Sequence, residues 1–394
     1  MLYRRNALNK FYNIANDKPS KDDIYFQEKF PNLKDSFNKA KSFLDKCLKG
    51  ILINDLTNIT IESPKISAII NFHNSQKTIS RAVKSIQNQN ISNIEIILVN
   101  DFSIDKSLEI VEEIQKKDKR IKIINNKKNM GTLYSRSIGA LSSKGVYIFH
   151  LDSDDMFLDK DVFSIVMNIA EKGCFDIVSF KCIFSSYGKN ILTNPIRDNY
   201  LNFHYDNKVL FQPELGLYPV RPGKQLGDYK VKENFIWSKC IKTKVYQTTL
   251  IKIGKERYSR YMIFEEDRTV LYALFNTAES IKFIGKYGIL QIRTRGSVTR
   301  SHKKYSQRFR CMLLFADIVI DFNKETFESR KLLVYIITFL IKNPALKIIS
   351  KSNYYKELFI SCVNRVLNYK YISDQYKEEI RKRVLKLNFI KYKF

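Results

Sequence analysis

Apolar runs and amphipathic stretches alternate from Lys65 for about ninety residues. The run Ile66 to Phe72 predicts a strand, after which Ile79, Ala82, Val83 and Ile86 recur at i, i+3, i+4 and i+7, one face of a helix. Ile94 to Val99 predicts a second strand with Asp101 just beyond it. Ser103 is placed to cap a helix that carries Leu108, Val111 and Ile114. Ile121 to Ile124 gives a short third strand, a helix near Leu133 to Leu141 follows, and Val146 to Leu151 forms a fourth strand. Phe175 to Phe180 fits a fifth. Such alternation is the signature of an α/β protein with a mostly parallel sheet and crossover helices. Right-handed crossovers bring the C-terminal ends of the strands to one edge, so Phe72 to Asn74, Asp101 and Asp152 to Asp155 should converge there.

The flanks follow a different pattern. Residues 1–62 read as a polar helical extension in which Phe26, Phe30, Leu33, Phe37, Ala40 and Leu44 fall at alternating spacings of four and three, and Pro64 marks its boundary. Between Ser185 and Lys232 the prolines and glycines predict loops. From Ser301 the pattern is helical again, with Phe309, Met312, Leu313, Phe315 and Ala316 clustered on a face. The expected layout is a helical extension (1–62), an α/β catalytic domain (63–300) and a basic helical segment (301–394).

A 44% hydrophobic and 27% charged composition is that of a folded protein long enough for two or three domains. The six cysteines form no C-x-x-C pair, so neither zinc nor a disulfide framework is indicated and a reducing, cytoplasmic setting is expected. No stretch approaches the ~20 apolar residues needed to span a bilayer; the longest, Leu332 to Ile341, reads as a buried helix. The net charge of +28 is spread along the chain without the interleaved aromatics of a nucleic-acid module, so no specific nucleic-acid partner is expected. Residues 301–394 hold 20 Lys and Arg against 8 Asp and Glu, and Arg381, Lys382, Arg383, Lys386, Lys391 and Lys393 suggest peripheral docking on an anionic membrane surface.

The cluster Asp152, Ser153, Asp154 and Asp155 at the end of an apolar strand delivers hard oxygen ligands suited to Mn²⁺ or Mg²⁺ and to the phosphates that accompany them. A dinucleotide fold is excluded because Asn71 to Gln76 holds no glycine. An EF-hand loop fails because Phe157 stands where its glycine belongs.

Four segments in order resemble the nucleotide-binding half of family-two glycosyltransferases of the GT-A fold. They are Ile69-Ile70-Asn71-Phe72-His73-Asn74, Val99-Asn100-Asp101-Phe102-Ser103-Ile104-Asp105, Asn129-Met130-Gly131 with Arg136 and Gly139, and Leu151-Asp152-Ser153-Asp154-Asp155. The resemblance implies a Rossmann-like sheet with helices on both faces and a UDP-sugar donor held with a divalent cation. Phe72, His73, Asn74 and Arg136 would then line the nucleotide-sugar site. Asp101 would meet the nucleoside, Asp152 the ribose or the metal shell, and Asp154 the Mn²⁺ or Mg²⁺. His73 departs from the usual Pro-x-Tyr-Asn pattern at the base-stacking position.

Phe264-Glu265-Glu266-Asp267-Arg268 resembles the family's Glu-Asp motif, which makes Asp267 the expected catalytic base and Glu266 the reserve. Carboxylates there also suit the first turn of a helix. Ile236-Trp237-Ser238-Lys239 is similar to the Trp-x-Lys segment that precedes the base, and Arg293 falls in a basic segment where an arginine could reach the diphosphate. The absence of a Gln-x-x-Arg-Trp motif argues for transfer of a single sugar to a glycan or glycoconjugate hydroxyl. The competing reading is a scaffold without turnover that binds nucleic acid or anionic lipid through its basic surface.

Overall fold

The computed structural model describes residues 64–185, 209–211, 220–222, 229–231, 235–292, 305–322, 336, 353–368 and 374–385, all within one compact unit. The N-terminal extension, Arg293 and the basic residues after 385 lie outside the described residues.

The predicted alternation is present. Strand β1 (Ile66–Phe72), helix α1 (Ile79–Gln87), β2 (Ile94–Asn100), α2 (Ser107–Lys117), β3 (Ile121–Asn125), α3 (Thr132–Ser142) and β4 (Tyr147–Asp152) follow in order. Pairings β1–β2, β1–β4 and β2–β3 are all parallel. Both faces of these strands are covered, which is why they read as nearly continuous apolar runs. Ile66, Ala68, Ile70 and Phe72 of β1, with Tyr147, Phe149 and Leu151 of β4, belong to one core. On the opposite face Ile69 and Ile148 belong to a second. The two-residue period therefore also places Asn71, His150 and Asp152 on that second face. There α3 packs so closely that a Cβ on Gly139 would lie 2.7 Å from Ile69 Cγ2.

The rest of the sheet departs from the expected parallel pattern. β5 (Met156–Phe157), α4 (Val162–Gly173), β6 (Ile177–Ser185), β7 (Val209–Phe211), the separate hairpin of β8 (Val220–Pro222) and β9 (Tyr229–Val231), and a 3₁₀ turn at Ile236–Ser238 lead to β10 (Lys239–Lys242). β10 inserts antiparallel between β4 and β6, and β11 (Ser280–Ile292) continues the sheet beside β6. Sheet order is β3-β2-β1-β4-β10-β6-β11-β5. The order reverses between β1 and β4, and open α/β sheets bind ligands at the carboxyl ends of strands at such a switch.

Helices α5 (Thr243–Ile253), α6 (Lys255–Tyr258) and α7 (Glu266–Thr277) lie between β10 and β11. The C-terminal helices α8 (Tyr305–Asp321), α9 (Asn353–Leu367) and α10 (Asp374–Leu385) extend the second core through Phe309, Phe315, Phe359 and Val384. Arg257 clamps α8 through Asp317 at 2.7 Å and Asp321 at 2.6 Å. The described part of 301–394 is thus built into the second hydrophobic core. Ile336, from the apolar run 332–341, is also buried in it. Among the described residues no helix is long and apolar enough to cross a membrane.

Candidate active site

The edge beyond β1, β2 and β4 is assembled by register. Asn71 pairs with Asp152 and Phe72 with Asn100, so Asp101 and Asp152 emerge on either side of β1. Asp101 continues the ladder by donating its N–H to the Phe72 carbonyl at 2.8 Å. Its carboxylate is anchored by three donors, Asn126 Nδ2 at 2.9 Å, Met130 N at 2.8 Å and Gly131 N at 2.9 Å. Oδ2 takes only one of them, which leaves acceptor capacity for a ligand.

The loops after β1 and β2 are zipped together. Asn74 N–H donates to Ser103 Oγ at 3.1 Å and Ile104 N–H returns to Asn74 Oδ1 at 2.9 Å. Ser103 therefore does not cap α2 as its sequence position suggested. The helix starts at Ser107, whose N–H is taken by Asp105 Oδ1 at 3.0 Å, and the Ser103 hydroxyl is committed to the neighbouring loop. His73 Nδ1 lies 2.8 Å from the Asp101 carbonyl, which can only accept, so the proton sits on Nδ1. Nε2 then accepts from the side-chain amides of Asn74 at 3.3 Å and Asn129 at 3.2 Å. Asn74, Phe102 and Glu265 all have positive φ at this edge, a concentration of backbone strain typical of functional loops.

The structure separates the predicted aspartates. Asp152 and Asp154 remain partly exposed, whereas Asp155 is buried and accepts the Ile292 N–H at 2.8 Å. Burial, then the charges of Asp152 and Asp154, hold the Asp155 carboxyl well above the usual carboxylate range. Phe72, expected at the nucleotide, has its ring in the core, and only its backbone carbonyl faces the loops. His73 and Asn74 are exposed at the rim.

Helix α7 brings Glu266 and Asp267 in its first turn, with side chains 16% and 19% exposed. The carboxylates sit in the first turn of that helix, where the macrodipole favours negative charge, and they lie close to Arg136. Arg136 of α3 reaches them from below. Nη2 donates to Asp152 Oδ1 at 2.7 Å, Nη1 bonds Asp267 Oδ1, and Glu266 Oε1 lies 3.6 Å from Nη1. Arg136 was expected to line the nucleotide site, but its side chain is 4% exposed and both terminal nitrogens are spent on carboxylates.

Burial pushes Glu266 up to about 8, with the Asp267 charge adding to the effect and Arg136 opposing it. Burial likewise pushes Asp267 up to about 6; Arg136 opposes and Asp152 reinforces the rise. Arg136 itself is held above the ordinary arginine value, because the charges of Asp267, Asp152 and Glu266 outweigh its burial. Both carboxyls are thus held above the usual carboxylate range by burial, with Arg136 opposing the rise in each.

Lys239, from the Trp-x-Lys segment, is fully buried on β10, near enough for its charge to act on Asp267. Asn129, from the Asn-Met-Gly segment, holds His73. Asn126, which holds Asp101, was missed by the sequence, and its place in the polar run after β3 was the available signal.

Glycosyl transferase family 2 has a sequence profile that matches residues 67–223. An uncharacterised glycosyltransferase of Haemophilus influenzae is 30% identical over 271 residues, covering 58% of this chain and 80% of its own. The chain belongs to glycosyl transferase family 2. This glycosyltransferase also resembles a cholesterol galactosyltransferase of Borreliella burgdorferi, 27% identical over 241 residues, or 60% of this chain and 62% of the relative. TarS of S. aureus, crystallised with UDP-GlcNAc, shares its fold with a TM-score of 0.51 at 18% identity, covering 77% of this chain and 80% of TarS residues 1–349. The UDP complex of TarS gives a TM-score of 0.52 at 17% identity over 82% and 87% of the two chains. The GT-A architecture and nucleotide-sugar-dependent transfer follow from this membership.

The family implies a divalent cation. Among the described residues no group of three or more His, Cys, Asp or Glu is arranged to hold a metal by itself. The donor set nevertheless fits Mn²⁺ or Mg²⁺. Asp154 and Asp152 offer hard oxygens at an edge whose crowded negative charge already raises Asp155, and such ions are commonly held by one or two carboxylates plus substrate phosphates and water.

Proposed function

We propose that the protein is an inverting, metal-dependent transferase that moves one sugar from a UDP-sugar to a hydroxyl of a glycan or other glycoconjugate. The observation that carries this reading is the Asp267 carboxylate, held by Arg136 across from Asp152 at the same sheet edge.

In this reading Asp101 accepts from the nucleoside through the open side of Oδ2, and His73 and Asn74 form the rim around it. Asp154, with Asp152 beside it, would hold the cation, which when bound would supply positive charge to offset that of the leaving diphosphate. Asp267 takes the proton of the acceptor hydroxyl as its oxygen bonds to the anomeric carbon and the bond from that carbon to the diphosphate breaks. UDP leaves with the bonding pair. A single displacement with one base inverts the anomeric centre. Arg293 is proposed to approach the diphosphate, where its planar fork suits paired oxygens. The UDP and UDP-GlcNAc complexes of TarS support the donor class. The name of the Borreliella relative shows that a lipid hydroxyl is among the acceptors its relatives use. A cytoplasmic enzyme docked on an anionic membrane surface would suit such an acceptor; of the basic cluster, Lys382 is exposed on α10. Equal partitioning onto neutral and anionic liposomes would remove the docking.

Calorimetric titration with UDP, with and without Mn²⁺, tests the donor site. Asp154→Asn should abolish the Mn²⁺-dependent part of the affinity while leaving the melting temperature close to wild type. Unchanged Mn²⁺-dependent affinity in that variant would refute the metal assignment.

A further inference from the structure

Arg136 occupies a position that donor binding alone does not explain. It lies on the inward stripe of α3 with Leu133, Gly139 and Ala140, in the layer between that helix and the sheet. Burying a guanidinium is costly unless its charge and donors are matched. Here Nη2 is matched by Asp152 and Nη1 by Asp267, residues delivered by β4 and by the start of α7, while Nε is buried without a partner among the described residues. One planar group therefore ties the donor-side carboxylate to the carboxylate read above as the base. A lysine could not do this, because its single ammonium cannot present two separate nitrogens in a fixed fork.

We propose that Arg136 is a positioning residue that sets the orientation of Asp267 from the donor side of the site, through its shared grip on Asp152. Its link to transfer rests on the assignment of Asp267 as base; its structural part, the hold on Asp267, does not. Asp267 is the second residue of α7, and Glu265 just before that helix has φ of 61°, so the helix start is a strained turn. Among the described residues the ion pairs made by Asp267 are all with Arg136, and Lys239 acts on it as a second nearby charge. Loss of the guanidinium frees the carboxylate to rotate away from the acceptor, and misplacement by about 1 Å can cost on the order of 10²-fold in rate.

The test uses the full chain carrying Arg136→Lys or Arg136→Gln. UDP affinity with Mn²⁺ should fall far less than kcat, because Arg136 reaches the donor site only through Asp152. kcat should fall on the order of 10²-fold, and the acidic limb of the pH–rate profile should move to higher pH in Arg136→Gln, because a cation that favours the ionised base has been removed. Arg136→Lys should recover the position of that limb more than the rate. If UDP affinity falls in step with kcat/KM and the limb stays in place, Arg136 binds the donor and the proposal is wrong; wild-type behaviour in both variants overturns it as well. Should Arg136→Gln fail to fold, Arg136→Lys carries the test. A crystal structure of Arg136→Lys decides the structural part without turnover. A displaced Asp267 carboxylate supports the proposal and an unmoved one overturns it, even if no UDP-sugar proves to be a donor for the wild-type protein.

Discussion

Gly131 is where the nucleoside loop and the approach to the base touch, and its replacement by alanine tests how tightly the two are joined. The residue has φ of 87° and ψ of 165°, a region that side chains other than hydrogen rarely enter. A Cβ there would lie 2.9 Å from Met262 N and 3.0 Å from Met262 O. Both opposing atoms are backbone, and the same carbonyl accepts the Leu133 N–H at 3.2 Å, so the segment cannot yield without disturbing α3. The backbone conformation costs about 1–3 kcal/mol and the overpacking about 1–3 kcal/mol more. Gly131→Ala should therefore lose about 2–6 kcal/mol in urea unfolding, equivalent to roughly 2–7 °C in melting temperature for a chain of 394 residues. The Gly131 N–H also holds Asp101 Oδ2, so UDP affinity should fall on the order of tenfold. Gly139→Ala is the control. Its Cβ would press on Ile69 Cγ2 in the core, so it should lose stability and keep UDP affinity. A Gly131→Ala protein within about 0.5 kcal/mol of wild type, or one that binds UDP as well as Gly139→Ala does, would refute this reasoning.

Two further outcomes follow from the carboxylates of α7. With Asp267 as the proposed base its ionised form is the active one, so kcat/KM should fall as pH drops through about 6; Asp267→Asn should lose this limb together with about 10²- to 10⁴-fold in rate, and a limb that survives would point to another base. Glu266 is raised from 4.5 to about 8, so the native state holds its proton more tightly than the unfolded chain. Its stabilising contribution is complete below pH 4.5 and is lost as pH rises through about 8. Glu266→Gln should then melt with wild type in acid and above it in alkali, and equal melting at both ends would contradict the buried, protonated state assigned to it.

The parallel half of the sheet was legible because strands covered on both faces are mostly apolar, as Ile66 to Phe72 and Ile94 to Val99 are apart from Ser67, Asn71 and Glu95. The convergence of Asp101 with Asp152 followed from strand order alone. β10 was not legible, because four residues with lysines at both ends carry no strand period, and its antiparallel insertion depends on partners far away in sequence. The ring of Phe72 was misplaced because a motif gives a residue's position but not the face toward which the pleat turns it. The partners of Arg136 were hidden for a related reason. Its place three residues after Leu133 and four before Ala140 marks an inward-facing arginine, but which carboxylates neutralise it is decided by tertiary packing. Ser103 shows local chemistry overridden: a good capping residue was recruited by the loop across from it.

The most direct measurement is release of UDP from a panel of UDP-sugars in the presence of Mn²⁺, comparing wild type with Asp154→Asn and Asp267→Asn. The account predicts slow turnover of one donor by the wild type and its loss in both variants. Equal turnover in all three proteins, or no turnover together with no Mn²⁺-dependent UDP binding by the wild type, would contradict it.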